Sequence, residues 1–393
     1  MTYNFDQVID RKGTGSLKYD CAAARQVPED CLPLWVADQD FRCPPCVSQA
    51  LIQRAEHGIF GYTEPDQGYY EALRYWFSRR WQWQPDLNGF VQTPGVVFAL
   101  AMAVRAFTQP GDAVLIQTPV YYPFTEVILD NNRRLVTSPL SLRDGHYEMD
   151  FVSLRRQLET QQVKLLFLCN PHNPVGRVWT ATELRQLGDL CARYQVKIVA
   201  DEIHADFVYA PAIHRSFLTV NPNLAEQTMV CTAPSKTFNL AGLQIANIYL
   251  PGQAMRTAFK HEVNAAGYSQ ANCMGLIACK ACYSAEGEAW LEELKLYLQD
   301  NIAYIDQFVA QNLPELAVIK PEGTYLLWLD CRKLNLEGTE LRQFMRQQAK
   351  LWLDDGFIFG QGGEGFVRLN IACPKATLTE AMRRLQTACQ QLR

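Results

Sequence analysis

The sequence predicts an α/β protein with a mostly parallel sheet, joined to a second lobe of α+β type. Over the middle of the chain, short apolar stretches bounded by turn residues alternate with helical patterns, as in buried parallel strands and their crossover helices. A long amphipathic helical pattern replaces this alternation in the last third of the chain. The length of 393 residues also exceeds the roughly 250–300 residues over which one hydrophobic core grows, which favours two domains.

Three short apolar runs, at 113–117, 164–168 and 197–200, are the predicted strands of the first domain. Residues 182–194 carry apolar side chains at near-helical spacing and supply one of the intervening helices. Because each run is apolar on both faces, we expect the sheet to be covered by helices on both sides.

The last third of the chain predicts a smaller α+β lobe. It begins with the helical pattern at 286–312 and continues with strand-like segments at 324–329 and 366–371. We expect the first forty or so residues to pack onto this lobe. The predicted domains are 46–285, a large α/β domain, and a small domain made of 1–45 and 286–393.

Composition excludes several classes of protein. With 37 basic and 41 acidic residues, the net charge of −4 does not favour nucleic acid or an anionic membrane as a partner. The N-terminus lacks the apolar region of a secretory signal, and no apolar run reaches the roughly 18 residues that span a bilayer. The thirteen cysteines are scattered, so we expect reduced thiols and a cytoplasmic location.

Several familiar motifs are present without their usual context. GQGGEG at 360–365 matches a dinucleotide fingerprint but precedes a strand rather than a helix, so we expect a loop. The C-x-x-C pairs at 43–46 and 279–282 lie too far apart along the chain for a typical zinc site. We therefore predict no metal.

Polar residues follow three of the apolar runs, where open α/β sheets bind ligands. They are Asn170 and Asn173 in a proline-rich turn, Asp201 after 197–200, and Lys236 after 229–231. Taken singly, each has an ordinary explanation: a turn, a helix cap and a solvated lysine. Taken together, a buried carboxylate and a lysine leaving a buried strand indicate a site with a cationic ligand and a nucleophile.

In their order and spacing, these motifs resemble those of fold type I pyridoxal-5′-phosphate (PLP) enzymes of the aminotransferase superfamily. Within it, they are most similar to the cystathionine β-lyase branch of C–S lyases. The resemblance runs from about residue 3 to the C-terminus, and it implies a mostly parallel seven-stranded sheet between helices plus a smaller α+β domain. The segments that carry it are LWVADQDF (34–41), HGIFGYT (57–63), TPGVV (93–97), PVYYPF (119–124), NPHNPVGR (170–177), DEIHADF (201–207), APSKTFNLAGLQ (233–244), PEGTYLLWL (321–329) and GFVRLNIACP (365–374).

The resemblance implies a role for several residues around the cofactor. Lys236 matches the lysine that bonds PLP covalently, and Asp201 matches the partner of the pyridine nitrogen. Asn173 matches the asparagine that binds the phenolic oxygen, and Tyr121 matches the aromatic that stacks on the ring. For the phosphate, the resemblance implies the backbone N–H groups of Gly95, Val96 and Val97, with hydroxyl donors from Ser235 and Thr232.

The resemblance also implies a shared active site and a grip on the substrate. Tyr62 matches a tyrosine that reaches the phosphate of the neighbouring subunit, which implies a homodimer. Arg368 matches the arginine that binds the substrate α-carboxylate, with Asn173 and the backbone near Ala37 at the same end of the site.

Two positions depart from the aminotransferase pattern towards the lyase branch. Aminotransferases of this fold commonly have tyrosine three residues after the pyridine aspartate, where this chain has His204, which we also expect to bind the cofactor. They commonly have arginine eight residues after the cofactor lysine, where this chain has Gln244.

The resemblance implies α,β-elimination on L-cystathionine or related cysteine S-conjugates, giving a thiol, pyruvate and ammonia. In this reaction Lys236 is the general base, and Lys236 or Tyr121 protonates the leaving sulfur. Two alternatives stay open at this point: an aminotransferase, and a regulator or binding protein built on the same fold.

Overall fold

A computed structural model of the chain describes residues 3–392, and its centre is a seven-stranded sheet. The strand Ala246–Tyr249 runs antiparallel to its two neighbours, and the other neighbouring pairs are parallel. This confirms the predicted α/β class and the mostly parallel sheet. In sheet order the strands are Phe90–Thr93, Ala246–Tyr249, Thr228–Thr232, Lys197–Asp201, Val163–Cys169, Ala113–Ile116 and Arg134–Thr137.

A second, antiparallel sheet of four strands lies in the last third of the chain. In sheet order its strands are Ala317–Ile319, Leu326–Asp330, Phe366–Asn370 and Asp354–Asp355. The glycine-rich 360–365 segment is a turn before one of these strands, as predicted. Two further pairs of short strands are Leu32–Pro33 with Leu351–Trp352, and Ser141–Arg143 with His146–Glu148.

Helices cover both faces of the seven-stranded sheet. Val96–Phe107 and Gln253–Ala265 bury apolar side chains in a core on one face, and Ala181–Arg193 packs into the core on the other. None of the helices described, over residues 3–392, combines the length and apolarity needed to cross a membrane. The remaining α-helices are Leu17–Asp20, Pro45–His57, Gln67–Trp81, Pro123–Asp130, Phe151–Thr160, Phe217–Val220, Pro234–Thr237, Cys273–Cys282, Ala285–Asn312, Gly338–Gln343 and Lys375–Leu392.

Three adjacent parallel strands bring the predicted site residues to one edge of the sheet. In the register of these strands, Cys169 pairs with Asp201 and Asp201 pairs with Cys231. The chain therefore leaves the strands at the same level, just before Asn170 and shortly before Lys236. Because parallel strands end at a common edge, residues far apart in sequence become neighbours there.

Residues 34–40, which we call the linking segment, run between the two lobes. Just before it, Leu32–Pro33 forms a parallel pair with Leu351–Trp352. Within it, the Leu34 carbonyl accepts a hydrogen bond from Asn370 N–H at 2.9 Å, and Asp40 N–H donates to the Ala372 carbonyl at 2.8 Å. The N-terminal residues thus contact the last lobe, while the predicted domain boundaries at 45/46 and 285/286 stay predictions.

Two cations fix the acidic end of the linking segment. The fully buried Lys18 ammonium lies 2.8 Å from Asp40 and 3.7 Å from Asp38. Arg11 lies 2.6 Å from each of the same two carboxylates. Burying one partner of such a cluster alone is costly, because the remaining charge loses both water and its counter-ion.

We expect Lys18→Ala to lower the free energy of unfolding by about 3 kcal/mol, because it leaves Asp40 buried with less countercharge. Chemical denaturation of the variant and the wild-type protein measures the difference. Arg332→Ala is the control, since Arg332 pairs with Asp330 at 2.6 Å through a side chain that is 56% exposed, and such a pair contributes at most about 1 kcal/mol. Equal effects in the two variants would contradict a structural role for the buried cluster.

Candidate active site

A cavity of about 420 Å³ opens at the carboxyl edge of the seven-stranded sheet. Its volume lies in the usual range for a small-molecule site. Most of the residues predicted from the sequence lie on its wall, drawn from several elements that the fold brings together. They are Ala37, Gly95, Val96, Val97, Tyr121, Asn173, Asp201, His204, Ser235 and Lys236.

Lys236 projects into this cavity from the short helix Pro234–Thr237, which directly follows a buried strand. Its ammonium Nζ donates to the Ala37 carbonyl at 2.7 Å. Burial lowers the pKa of Lys236 to about 8, and the positive charge of Arg368 acts in the same direction. About a tenth of the amine is therefore neutral, and nucleophilic, at pH 7, far more than at the ordinary pKa of 10.5.

Asp201 is the last residue of its strand, and its carboxylate is buried. Its Oδ1 accepts a hydrogen bond from Ile203 N–H at 3.1 Å. Burial raises the pKa of Asp201 to about 7, an effect opposed by the positive charge of Lys236. Within the described residues no basic side chain lies within ion-pair distance of Asp201, so a cationic ring nitrogen suits this end of the cavity.

The opposite end of the cavity is the start of the helix Val96–Phe107. Gly95 precedes it in an extended conformation, and a Cβ built on Gly95 meets no atom within 4 Å, so the space beside the helix is open. The N–H groups of the first helical turn lack intrahelical acceptors, and the helix dipole favours an anion beside them. A phosphate fits this position.

Two further side chains shape the wall between these ends. Tyr121 N–H donates to the Asn173 carbonyl at 3.0 Å, which fixes the aromatic residue beside the cavity. His204 is buried, its Nδ1 atom has no hydrogen-bond partner among the described residues, and burial lowers its pKa well below the ordinary value. His204 is thus neutral and has one buried ring nitrogen without a partner among the described residues.

Arg368 lies immediately behind this wall. One Nη donates to Asn173 Oδ1 at 2.9 Å, and the other binds the Trp35 carbonyl at 3.2 Å and the Asp354 carboxylate. The guanidinium also lies over the Phe359 ring, 4.9 Å from its centroid. It is therefore held in one orientation at the end of the cavity near Ala37, while its Nε makes no hydrogen bond to the described residues.

One of the residues proposed from the sequence lies elsewhere. The Thr232 hydroxyl donates to the Asn247 carbonyl at 2.8 Å, inside the sheet and away from the cavity wall. Tyr62, which is expected to reach the site of a neighbouring subunit, is 95% exposed and does not line the cavity of its own chain. Asp354 was not identified from the sequence as the partner of Arg368. A signal was present, since two adjacent acidic residues directly follow the buried run 351–353, where charges are unusual.

The cysteine pairs at 43–46 and 279–282 form no disulfide. All thirteen cysteines have free thiols. Within residues 3–392 no group of three acidic, histidine or cysteine side chains is arranged to hold a metal ion.

The cavity therefore fits a phosphorylated pyridine aldehyde through four features. It has an amine to bond the aldehyde, a buried carboxylate for the ring nitrogen, an open helix N-terminus for the phosphate, and an aromatic wall. Fold and site together define the class as an α/β enzyme of the fold type I architecture.

Comparison with known proteins places the chain within that class. The profile of the aminotransferase class I and II family matches residues 29–385. The chain belongs to this family. The cystathionine beta-lyase PatB of Bacillus subtilis is 42% identical over 385 residues, which cover 98% of this chain and 99% of PatB.

Two solved structures share the whole architecture. Cystalysin from Treponema denticola, which contains pyridoxal 5′-phosphate, is 36% identical with a TM-score of 0.96 and full coverage of both chains. The PLP-bound C–S lyase from Staphylococcus hominis is 31% identical with a TM-score of 0.93, over 99% of this chain and 98% of its own.

We expect the Lys236 amine to titrate with a pKa of about 8 in the chain free of small molecules, against an ordinary value of 10.5. Competitive acylation across a pH series, read by mass spectrometry of the Lys236 peptide, measures this value. Arg368→Gln removes a neighbouring positive charge and is expected to raise it, whereas Arg332→Gln, on the surface, is expected to leave it unchanged. A Lys236 pKa near 10.5 in the wild-type chain would contradict a desolvated amine.

Proposed function

We propose that this protein is a PLP-dependent carbon–sulfur β-lyase acting on L-cystathionine or related cysteine S-conjugates. The observation that carries the proposal is one cavity that holds Lys236, Asp201 and the open helix start at Gly95 together with His204 and Gln244. The first three fit the cofactor. The last two occupy the positions where the aminotransferase pattern has tyrosine and arginine.

The comparisons support the lyase over the aminotransferase. PatB, at 42% identity over nearly the whole chain, is named a cystathionine beta-lyase, and so is a relative from Corynebacterium glutamicum at 35% identity. The S. hominis neighbour is a C–S lyase. The match to the aminotransferase class I and II family also fits an aminotransferase. Turnover without a keto acid distinguishes the two activities.

We propose the residues that would hold PLP from the roles that the resemblance implies and from their places on the cavity wall. Lys236 would bond the aldehyde, Asp201 would face the ring nitrogen, and Asn173 and Tyr121 would contact the ring. The backbone at 95–97 and the Ser235 hydroxyl would hold the phosphate. Thr232 is not part of this proposal, because its hydroxyl is committed to the Asn247 carbonyl.

When bound, PLP supplies an electron sink for the charge that develops as the substrate α-carbon loses its proton. Lys236 can take that proton at Nζ, because its lowered pKa makes a neutral amine accessible near neutral pH. The protonated Nζ can then donate to the leaving sulfur. Tyr121 is a second donor, since burial raises the pKa of Tyr121 and keeps its hydroxyl protonated.

Arg368 would bind the substrate α-carboxylate and so set which end of the amino acid faces Lys236. Its planar guanidinium is already held by Asn173 and Asp354, which reduces the ordering needed on binding. In the overall reaction, L-cystathionine and water give homocysteine, pyruvate and ammonia. The Cβ–S bond breaks, and the thiolate leaves with a proton from the enzyme.

We propose a homodimer in which Tyr62 completes the neighbouring subunit's site. Tyr62 is 95% exposed, and Ile59 and Phe60 beside it are 64% and 57% exposed. A run of large apolar side chains in water is typical of a surface that another chain covers.

On the sequence grounds given above, we also propose that the enzyme acts in the cytoplasm on small amino acids.

We expect the PLP-loaded protein to turn over L-cystathionine without any keto acid, releasing thiol and pyruvate in equal amounts. Lys236→Ala should abolish this turnover, because it removes the base and the covalent anchor, whereas Lys260→Ala, in an exposed helical position, should retain it. A thiol reagent and a coupled pyruvate assay follow both products.

Two outcomes would overturn this proposal. A single stoichiometric conversion of the cofactor to its amine form, with turnover only after a keto acid is added, would identify an aminotransferase. A protein that binds no PLP would remove the cofactor assignment itself.

Mixing subunits tests the shared site. If Tyr62 reaches the neighbouring subunit, a dimer of one Lys236→Ala chain and one Tyr62→Ala chain has one intact site and one doubly impaired site. Random mixing makes about half of the dimers mixed, so we expect activity to return to about a quarter of the wild-type level. Each parent alone should be inactive or strongly impaired. No recovery in dimers shown by mass spectrometry to be mixed would place Tyr62 outside the partner's site.

A further inference from the structure

Two residues outside the cavity, Gln39 and Asn239, join the linking segment to residues 236–239, which we call the lysine loop. Gln39 is fully buried, and Asn239 has a left-handed backbone with a φ of 59°. Neither residue lines the cavity of the active site. They are 200 residues apart in sequence, so only the folded chain brings them together.

The two residues exchange hydrogen bonds in both directions. Gln39 N–H donates to Asn239 Oδ1 at 3.0 Å, and Asn239 Nδ2 donates to the Gln39 carbonyl at 2.9 Å. Asn239 Nδ2 also donates to the Phe41 carbonyl at 3.0 Å. Because one planar amide pairs with three main-chain groups, the linking segment meets the lysine loop in a single register.

The Gln39 side chain in turn holds the main chain of the lysine loop. Its Nε2 donates to the Lys236 carbonyl at 2.7 Å and to the Thr237 carbonyl at 3.4 Å. The helix Pro234–Thr237 has only four residues, and the last carbonyls of a helix have no partner within it. A donor from the linking segment therefore fixes the end of this helix.

Lys236 is thus bonded to the linking segment at both of its ends. Its carbonyl accepts from Gln39, and its Nζ donates to the Ala37 carbonyl at 2.7 Å. The position of the amine in the cavity therefore depends on how the segment meets the loop.

The buried amide of Gln39 carries a cost that stability alone does not explain. Its Oε1 is buried and has no hydrogen-bond partner among the described residues. A buried acceptor without a partner costs free energy, which an apolar side chain of similar size would avoid. What the amide provides instead is the pair of bonds to the Lys236 and Thr237 carbonyls.

We propose that Gln39 and Asn239 are positioning residues that set where the Lys236 amine lies, by fixing the linking segment onto the lysine loop. They act through Lys236 rather than on the cofactor or the substrate. This inference rests on the proposed β-lyase function and deepens it, since it names the residues on which the position of the general base depends. Displacement of a catalytic group by about 1 Å can lower a rate about a hundredfold.

The first test measures the pKa of Lys236 in the Gln39→Leu and Asn239→Gly chains, free of small molecules, by competitive acylation. Leucine removes the amide at similar size, and glycine accepts a φ of 59°, so Asn239→Gly removes only the side-chain bonds. We expect each variant to raise the pKa of Lys236 from about 8 towards 10.5, because a released amine regains water.

A change in that pKa reports position, because neither substitution alters a charge. The charges that act on the pKa of Lys236 are those of Arg368, Asp38 and Asp201, and both variants retain them. Asn335→Gly is the matched control, since Asn335 is exposed in the last lobe and has a similar φ of 55°. It should leave the pKa of Lys236 at the wild-type value.

The second test uses the PLP-loaded enzyme and L-cystathionine. Each variant should lower kcat about ten- to hundredfold and change KM less than about twofold, because Arg368 keeps its bonds to Asn173 and Asp354. The double variant should lose little more than either single variant, since both substitutions open the same contact. Asn335→Gly should retain the wild-type kcat.

An unchanged pKa of Lys236 in both folded variants would overturn the proposal. Failure of both variants to fold would also overturn it, because the bonds would then serve the fold as a whole. The acylation test needs neither PLP nor turnover. Absence of β-elimination by the wild-type enzyme would therefore refute the proposed function and leave the test of Gln39 and Asn239 intact.

Discussion

The carbonyl groups of the linking segment hold the active site together. Unlike the carbonyls of a regular strand or helix, they accept from side chains that come from both lobes. The Ala37 carbonyl alone receives Lys236 Nζ and, at 3.0 Å, the Tyr325 hydroxyl. Other carbonyls of the segment also accept hydrogen bonds from side chains. The Trp35 carbonyl accepts from Arg368, the Val36 and Asp38 carbonyls accept from Asn370, and the Gln39 carbonyl accepts from Asn239. Because buried carbonyls must be satisfied, each bond fixes the side chain that makes it.

Burial explains why the charges of the site differ from their solution behaviour. Lys236, whose Nζ bonds to the linking segment, and Asp201, at the end of a buried strand, are both withdrawn from water, so the pKa of the amine falls and that of the carboxyl rises. Both shifts favour neutral groups in the empty site. A cationic ring nitrogen would lower the pKa of Asp201 again and keep its carboxylate charged, while the Lys236 amine stays reactive. The proposed chemistry requires both a charged carboxylate and a reactive amine.

Much of the architecture could be predicted from the sequence, because local patterns determine it. The apolar run 164–168 lies inside the strand Val163–Cys169, and the helical pattern 286–312 is the helix Ala285–Asn312. Strand ends also located Asp201 and Lys236, since a charge directly after a buried run is costly unless it is used. Cofactor roles came from the resemblance rather than from the patterns.

What escaped prediction depends on contacts between distant parts of the chain. Thr232 has the right residue type beside Lys236, but its position within a strand turns its hydroxyl to the neighbouring strand. Lys18 looks like a surface lysine in sequence, and it is fully buried because Asp40, brought back by the linking segment, receives it.

The pairing of Leu32–Pro33 with Leu351–Trp352 has a consequence for biosynthesis. The partner strand is made more than 300 residues after the linking segment, so a growing chain carries that segment unpaired through most of translation. The bonds that join the linking segment to the last lobe are consequently among the last to form, although the residues that line the cavity, from 37 to 245, have been made long before.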